Sequence, residues 1–179
     1  MKLQTFTTAH FQRGAPRWKE ALWVLVRCLI FQTPIPFPSW LKCRLLRSFG
    51  ARIGENVIIR TGVWVTFPWR LTVGNNVWLG DGVWILSLAP VTIESDVCIS
   101  QRSYLCSGTH DYRKESFDLI TKPIVVRESS WVAAAAFVGP GVEIGPGSVV
   151  SAGSVVTTRV GPGEVVRGNP AQFVKFVGS

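Results

Sequence analysis

The sequence predicts an all-β fold, a parallel β-helix wound from six-residue repeats and preceded by a short helical segment. Three observations predict it. Aliphatic residues recur every six positions from Ile53 onward, a period that neither an α-helix nor a simple strand produces. Gly, Asn and Asp residues suited to tight turns fall between those anchors. The chain has 179 residues, 47% of them hydrophobic, which is one domain with enough apolar surface for a sizeable core, and this excludes disorder as its main character.

The first element is a basic, Trp-rich helical segment over residues 1–52. It holds nine Lys and Arg against one acid, Glu20, whereas residues 53–179 hold ten of each sign, so the net charge of +8 belongs entirely to this segment. Such a segment suits an anionic surface or an anionic ligand. Residues 17–31 read as a helix with Leu22, Leu25, Val26 and Leu29 on one face, while Trp23, Val24 and Phe31 extend the apolar surface and Arg27 interrupts it. The run is too short to span a bilayer. Thr33-Pro34-Ile35-Pro36-Phe37-Pro38 ends it, because proline cannot continue the helical hydrogen bonds. A second helix over residues 39–49 places Lys42, Arg44 and Arg47 beside Trp40, Leu41, Leu45 and Leu46, with Gly50 as its stop. Two roles stay open at this point: helices packed over one end of the main domain, or an amphipathic patch resting on an anionic membrane.

The second element is the repeat domain, residues 53–170. Its anchors are Ile53, Ile59, Val65 and Leu71; then, after a two-residue step, Val73, Leu79, Ile85 and Val91; then, after another, Ile93, Ile99 and Leu105; and finally Val126, Val132, Val138, Ile144, Val150 and Val156. A six-residue spacing fits a short strand plus a tight turn, with the same position pointing inward each time. Three such sides make one coil of about eighteen residues, and stacked coils bury a continuous aliphatic column. The two-residue steps at 71–73 and 91–93 predict longer corners. Residues 171–179 are expected to form a C-terminal tail.

The repeat breaks once, and the chemistry is expected there. The inserted loop, residues 106–123, is polar and charged in a domain that is otherwise neither, and a loop leaving a rigid scaffold is a usual carrier of catalytic groups. It contains His110, the only histidine of the repeat domain. A neutral imidazole can accept a proton from an attacking hydroxyl. The adjacent Asp111 is expected to orient that ring or to recognise a substrate. With only His10 and His110 present, a three-histidine metal centre is excluded within one chain, and no metal is expected. Cys28, Cys43, Cys98 and Cys106 show no ligand spacing and, without a signal peptide, read as reduced cytosolic thiols. The basic residues lie in apolar helix with no DNA- or RNA-binding motif, which argues against nucleic acid as a partner.

The six-residue pattern over 53–170 resembles the left-handed parallel β-helix of the hexapeptide-repeat acyltransferases. The left hand comes from the resemblance, since periodicity cannot fix it and ordinary crossovers are right-handed. Further runs narrow the likeness: residues 100–112, Asn76-Val77-Trp78-Leu79-Gly80-Asp81-Gly82-Val83-Trp84, Leu88-Ala89-Pro90-Val91-Thr92-Ile93, Phe117-Asp118-Leu119-Ile120, and Phe49-Gly50-Ala51-Arg52-Ile53-Gly54. With these the chain resembles the WcaF group of colanic acid and exopolysaccharide acetyltransferases over nearly its whole length.

That resemblance implies acetyl transfer from acetyl-CoA to a sugar hydroxyl in exopolysaccharide biosynthesis, with His110 as general base, by a homotrimer whose active sites lie between neighbouring β-helices. It places coenzyme A contacts at Ala134 and Ala152, which are eighteen residues apart, and at Thr157, Thr158 and Lys175. The family often has Lys where Thr158 stands, and Arg159 is positioned to substitute. It assigns Tyr112 and Ser87 to the acceptor, with Ser87 standing where the family usually carries Asn. The expected acceptor is a sugar or a lipid-linked oligosaccharide, and the expected location is cytoplasmic, with a peripheral contact to the inner face of the cell membrane. Trp64, Trp69, Trp78 and Trp84 read as packing or trimer contacts more than as sugar platforms. Competing expectations are an acyltransferase for an amino sugar, an antibiotic or serine, and a non-catalytic β-helix scaffold. A γ-class carbonic anhydrase shares the repeat but needs three histidines.

Overall fold

The computed structural model describes Gln4, Phe6 and residues 11–179, so His10 lies outside the described residues. Two helices come first, α1 (Arg17–Val26) and α2 (Ser39–Ser48), with a π-helical turn, Arg27–Phe31, continuing α1. The repeat follows as coils of three short strands. The first coil is β1 (Arg52–Ile53), β2 (Ile58–Ile59) and β3 (Trp64–Val65), and the second is β4 (Leu71–Val73), β5 (Trp78–Leu79) and β6 (Trp84–Leu86). The third is β7 (Val91–Ile93), β8 (Cys98–Ile99) and β9 (Tyr104–Cys106). A hairpin, β10 (Gly108–His110) and β11 (Leu119–Thr121), leaves the solenoid before the fourth coil, β12 (Ile124–Val126), β13 (Trp131–Val132) and β14 (Phe137–Val138). The fifth is β15 (Glu143–Ile144), β16 (Val149–Val150) and β17 (Val155–Val156), and β18 (Glu164–Gly168) with β19 (Ala171–Phe176) closes the chain.

The strands stack in parallel into three faces of a prism. Face A is β1-β4-β7-β12-β15, face B is β2-β5-β8-β13-β16-β18 with β19 at its edge, and face C is β3-β6-β9-β14-β17. Ile53 pairs with Val73 and Val73 with Ile93, whereas Val126 pairs with Ile144, so the early coils are two residues longer than the later ones. The extra residues lie in the corners from face C to face A, as the phase steps predict. All the anchors except Ile53 are buried. Full burial of a Val, Leu or Ile side chain is worth about 1.5–3 kcal/mol, so the aliphatic column is the main cohesive element. The corners need unusual backbone: Asn56, Asn76 and Asp96 take the left-handed conformation in successive coils, and Asn56 and Asn76 each donate from the side-chain amide to the next residue of that column at 3.1 and 2.9 Å.

The helices cap the open end of the prism. A first coil has no coil before it, so its outward carbonyls lack ladder partners. The Trp23 indole N–H donates to Val65 O (2.9 Å), as does Arg27 (3.3 Å). Lys42 Nζ donates to Ile59 O (3.2 Å) and Arg60 O (3.0 Å), and Arg47 to Ile53 O and Gly54 O. Trp23, Phe31, Leu46 and Phe49 extend the core under the cap. Burial lowers the affinity of Arg27 and of Lys42 for their protons. Part of the N-terminal positive charge is therefore structural.

The tail is not irregular. Strand β19 folds back antiparallel on β18, leaving Phe173, Val174 and Phe176 exposed at the far end.

Candidate active site

The corner from face C to face A is where the chain departs furthest from regular coils. In the first coil it holds a 3-10 turn, Pro68–Arg70, in the second residues 87–90, and in the third the β10–β11 hairpin. Leu88 packs beneath the base of the hairpin. A Cβ on Gly108 would stand 2.7 Å from Leu88 Cδ1, so glycine there permits the approach.

His110 ends strand β10, opposite Leu119, and is partly buried. Its Nδ1 lies 2.9 Å from Phe117 O. A carbonyl can only accept, so Nδ1 carries the proton and, in the neutral ring, Nε2 is left with a free lone pair. The Phe117 ring stacks on the imidazole at 4.3 Å with an interplanar angle of 1°, and Phe6 meets the imidazole edge-on at 5.3 Å. Phe117 has φ +50°, a conformation that costs a non-glycine residue about 1–2 kcal/mol and that turns its carbonyl toward the imidazole. The imidazole is thus fixed in tautomer and orientation by a backbone carbonyl and two phenyl rings.

Asp111 is not the partner of that ring. Its carboxylate accepts from Arg113 Nε (3.0 Å) and from the Arg113 backbone N–H (3.2 Å), which closes the hairpin tip. The Arg113 guanidinium holds the Asp111 carboxyl below the usual carboxylate range. Across the tip Lys114 pairs with Asp118 at 2.9 Å, and Tyr112 stands out into solvent, 77% exposed. Ser87 is fully buried. Its hydroxyl accepts from Phe67 N–H (2.8 Å) and donates to Phe67 O (3.0 Å), so its one proton is committed to shaping the corner and burial closes it off from solvent.

The residues expected to meet coenzyme A lie on two edges. Ala134 and Ala152 stack one coil apart on the corner from face B to face C, in the register set by Val132 opposite Val150, and Gly153 N–H bonds to Ala134 O. Thr157 and Thr158 are exposed on the same corner as the His110 hairpin, two coils further along, with exposed Arg159 beside them. Face C separates these groups within one chain. Lys175 sits on β19 with its amine bonded to Ser179 O (2.7 Å). The structure brings His110, Asp111, Tyr112, Ser87, Thr157 and Thr158, which the sequence named separately, to one edge. The sequence reading missed a further pair there, Phe117 and Phe6, and the one signal for Phe117 is its place in the hairpin's returning arm.

The outward side chains of face C form an aromatic column, Trp64, Trp84, Tyr104 and Phe137, with successive ring distances of 5.4, 4.9 and 5.5 Å. Face B presents Ile58, Trp78 and Trp131. Trp69 instead donates to Arg13 O (2.7 Å), pinning residues 12–14 to the first corner. Among the described residues there is no cluster of side chains that could hold a metal ion, and no helix long and apolar enough to cross a membrane.

Comparison with known proteins fits this geometry. The chain is 42% identical over 174 residues, 97% of its length and 95% of the relative's, to an Escherichia coli K12 protein that carries the name colanic acid biosynthesis acetyltransferase WcaF. The Shigella flexneri protein of that name matches equally. A Dictyostelium discoideum protein named as an acetyltransferase is 35% identical over 127 residues, 69% of this chain and 67% of that protein. No family model matches. Among solved structures, a hexapeptide-repeat acetyltransferase of Vibrio cholerae in complex with acetyl-CoA superposes with a TM-score of 0.81 at 24% identity, covering 91% of this chain and 89% of that one. A galactoside acetyltransferase in complex with coenzyme A gives 0.80 at 22% identity over 90% and 82%. These structural likenesses establish the fold, the left-handed parallel β-helix.

Proposed function

The chain belongs to the WcaF family of hexapeptide-repeat acetyltransferases, and from that premise we propose that it moves an acetyl group from acetyl-CoA to a sugar hydroxyl of a colanic acid-like exopolysaccharide, with His110 as general base. The observation that carries the proposal is the bond from His110 Nδ1 to Phe117 O, which leaves Nε2 as the proton acceptor. In the reaction Nε2 takes the proton of the attacking sugar hydroxyl while the oxygen adds to the thioester carbonyl. The tetrahedral intermediate expels the coenzyme A thiolate, and the imidazolium returns the proton to that sulfur. The products are the O-acetyl sugar and coenzyme A, and His110 is neutral again. General-base assistance of this kind contributes about 10²–10⁴ in rate.

Acetyl-CoA fits the residues present. Ala134 and Ala152 keep one edge low, so a pantetheine arm can approach its backbone, and Thr157, Thr158 and Arg159 offer hydroxyls and a cation for phosphate. The acetyl-CoA and coenzyme A complexes of the structural neighbours support acetyl-CoA as the donor. Face C separates the two groups of residues, so a cleft lined by two copies of the chain would unite them, and the apolar columns of faces B and C suit contact between copies in a homotrimer. Asp111 and Tyr112, at the tip, border the acceptor, which is a sugar or a lipid-linked oligosaccharide presented at the inner face of the cell membrane.

Calorimetric titration with acetyl-CoA tests the reading without knowledge of the acceptor. Saturable binding near one molecule per chain is expected for the wild type and for His110→Ala, because His110 serves transfer and not binding. Failure of the folded protein to bind overturns it.

A further inference from the structure

Helix α1 is apolar on two opposite sides. One side carries Trp23 and, in the π-helical turn, Arg27 and Phe31, all buried against the first coil. On the other side Trp18, Leu22, Leu25 and Leu29, at spacings of four, three and four, form a single stripe along the helix. All four are exposed, at 69%, 46%, 55% and 57%. Core packing explains the first side and leaves the second unexplained.

The stripe's position says what it meets. Trp23 and Arg27 bond to Val65 O, a carbonyl that points away from the second coil, so the inner side of α1 faces along the prism axis into the end of the solenoid. The outer side therefore faces away from the solenoid along the same axis. Contacts between copies of the chain have faces B and C available, whose apolar columns run down the sides of the prism. The end surface is separate from both.

Charge selects among apolar partners. Glu20, the one acid among residues 1–52, is neutralised by Arg13 at 2.6 Å. Arg17, beside the stripe's first residue, and Arg44 on α2 are exposed, as are the apolar Ile35 and Trp40. An exposed Trp/Leu stripe on a helical cap whose own charges are basic, with its one acid paired, matches the boundary of an anionic bilayer, where the rings and leucines enter the acyl region and the guanidinium groups stay with the headgroups.

We infer that the outer face of α1 docks the protein end-on to an anionic lipid surface, with Trp18, Leu22, Leu25 and Leu29 inserted. Docking rests on the cap alone and is independent of acetyl transfer. Its consequence for the site does rest on that reading: coils about 4.8 Å apart and a helix about 10 Å across hold the His110 hairpin, two coils in, about 20 Å above the lipid boundary, within reach of a glycan anchored there.

Co-sedimentation of the full chain with vesicles tests the docking. The wild type is expected to sediment with phosphatidylcholine–phosphatidylglycerol vesicles and about tenfold less with phosphatidylcholine alone. Leu22→Gln/Leu25→Gln is expected to lose about tenfold or more of the anionic binding, with unchanged circular dichroism, melting temperature and acetyl-CoA affinity. If that pair disturbs folding, Trp18→Ser, at the most exposed position of the stripe, carries the same expectation. Equal sedimentation of wild type and variants overturns the inference, as does absence of wild-type binding to either vesicle. A smaller assembly for the variants on size exclusion would assign the stripe to contact between copies and overturn it too.

Discussion

Replacing Lys42 with Met isolates the hydrogen bonding of the cap. Lys42 is 1% exposed, and its amine donates to Ile59 O and Arg60 O, carbonyls on the open end of the first coil. Methionine keeps most of the aliphatic stem and removes the donors. Ile59 O retains only a long bond from the Ser39 hydroxyl, at 3.4 Å, and Arg60 O loses the lysine's bond. An unsatisfied buried carbonyl costs about 1–3 kcal/mol, and a hydrogen bond from a charged donor is worth about 1.5–3 kcal/mol. Against this, the variant is relieved of desolvating an ammonium ion, which burial already disfavours in the native state. With two bonds lost and one charge no longer buried, the net loss is about 2–3 kcal/mol. For a chain of this size each kcal/mol shifts the melting temperature by about 2–4 °C, so a drop of about 4–12 °C is expected. The assay is thermal unfolding followed by circular dichroism at one fixed protein concentration, with Arg44→Met, on the same helix but exposed, as the control. A Lys42→Met protein as stable as the wild type, or more so, would refute the reasoning, because desolvation of the charge would then outweigh both bonds.

Other outcomes follow from the same geometry. Gly80→Ala is expected to cost about 3 kcal/mol, because its Cβ would stand 2.6 Å from Gln101 N in the next coil, where backbone cannot yield, as chemical denaturation would show. Phe117→Ala is expected to lower turnover about tenfold while leaving acetyl-CoA affinity unchanged, since it removes the ring stacked on His110; unchanged turnover would show that the carbonyl alone holds the imidazole. Asp111 binds its proton less readily in the native state than in the unfolded chain, so its contribution to the hairpin tip is complete above the ordinary carboxyl range, about pH 4, and is lost as pH falls through the lower native value. Amide exchange of residues 111–118 should therefore rise as pH falls through that window beyond its intrinsic pH dependence, and Arg113→Ala should abolish the extra rise.

The solenoid was legible because its side length is written into the sequence. A six-residue side returns the same position to the interior each time, so Val132, Val138, Ile144 and Val150 announce their burial by spacing alone, and a phase step such as Leu71 to Val73 announces a longer corner. The cap was only half legible. Helices could be read over residues 17–31 and 39–49, but that Lys42 and Arg27 would face inward depends on where the first coil's unpaired carbonyls lie, which no local pattern encodes. His110 was legible as the lone histidine of the single interruption. Its orienting partner was not, because a carbonyl is common to every residue and only the left-handed turn at Phe117 aims this one. Ser87 was expected to contact the acceptor only through the family resemblance carried by the run Leu88-Ala89-Pro90 beside it. Its hydroxyl turned inward because the widened corner left the Phe67 backbone to be satisfied.

The most direct test of the account is the rate of thiol release from acetyl-CoA in the presence of a panel of sugar and lipid-linked oligosaccharide acceptors, compared between wild type and His110→Asn. Asparagine can still donate toward Phe117 O but cannot take a proton at neutral pH. The account predicts acceptor-dependent release by the wild type, a fall of about 10²–10⁴ in the variant, and equal acetyl-CoA binding by both. Acceptor-dependent release at the wild-type rate by His110→Asn would contradict it.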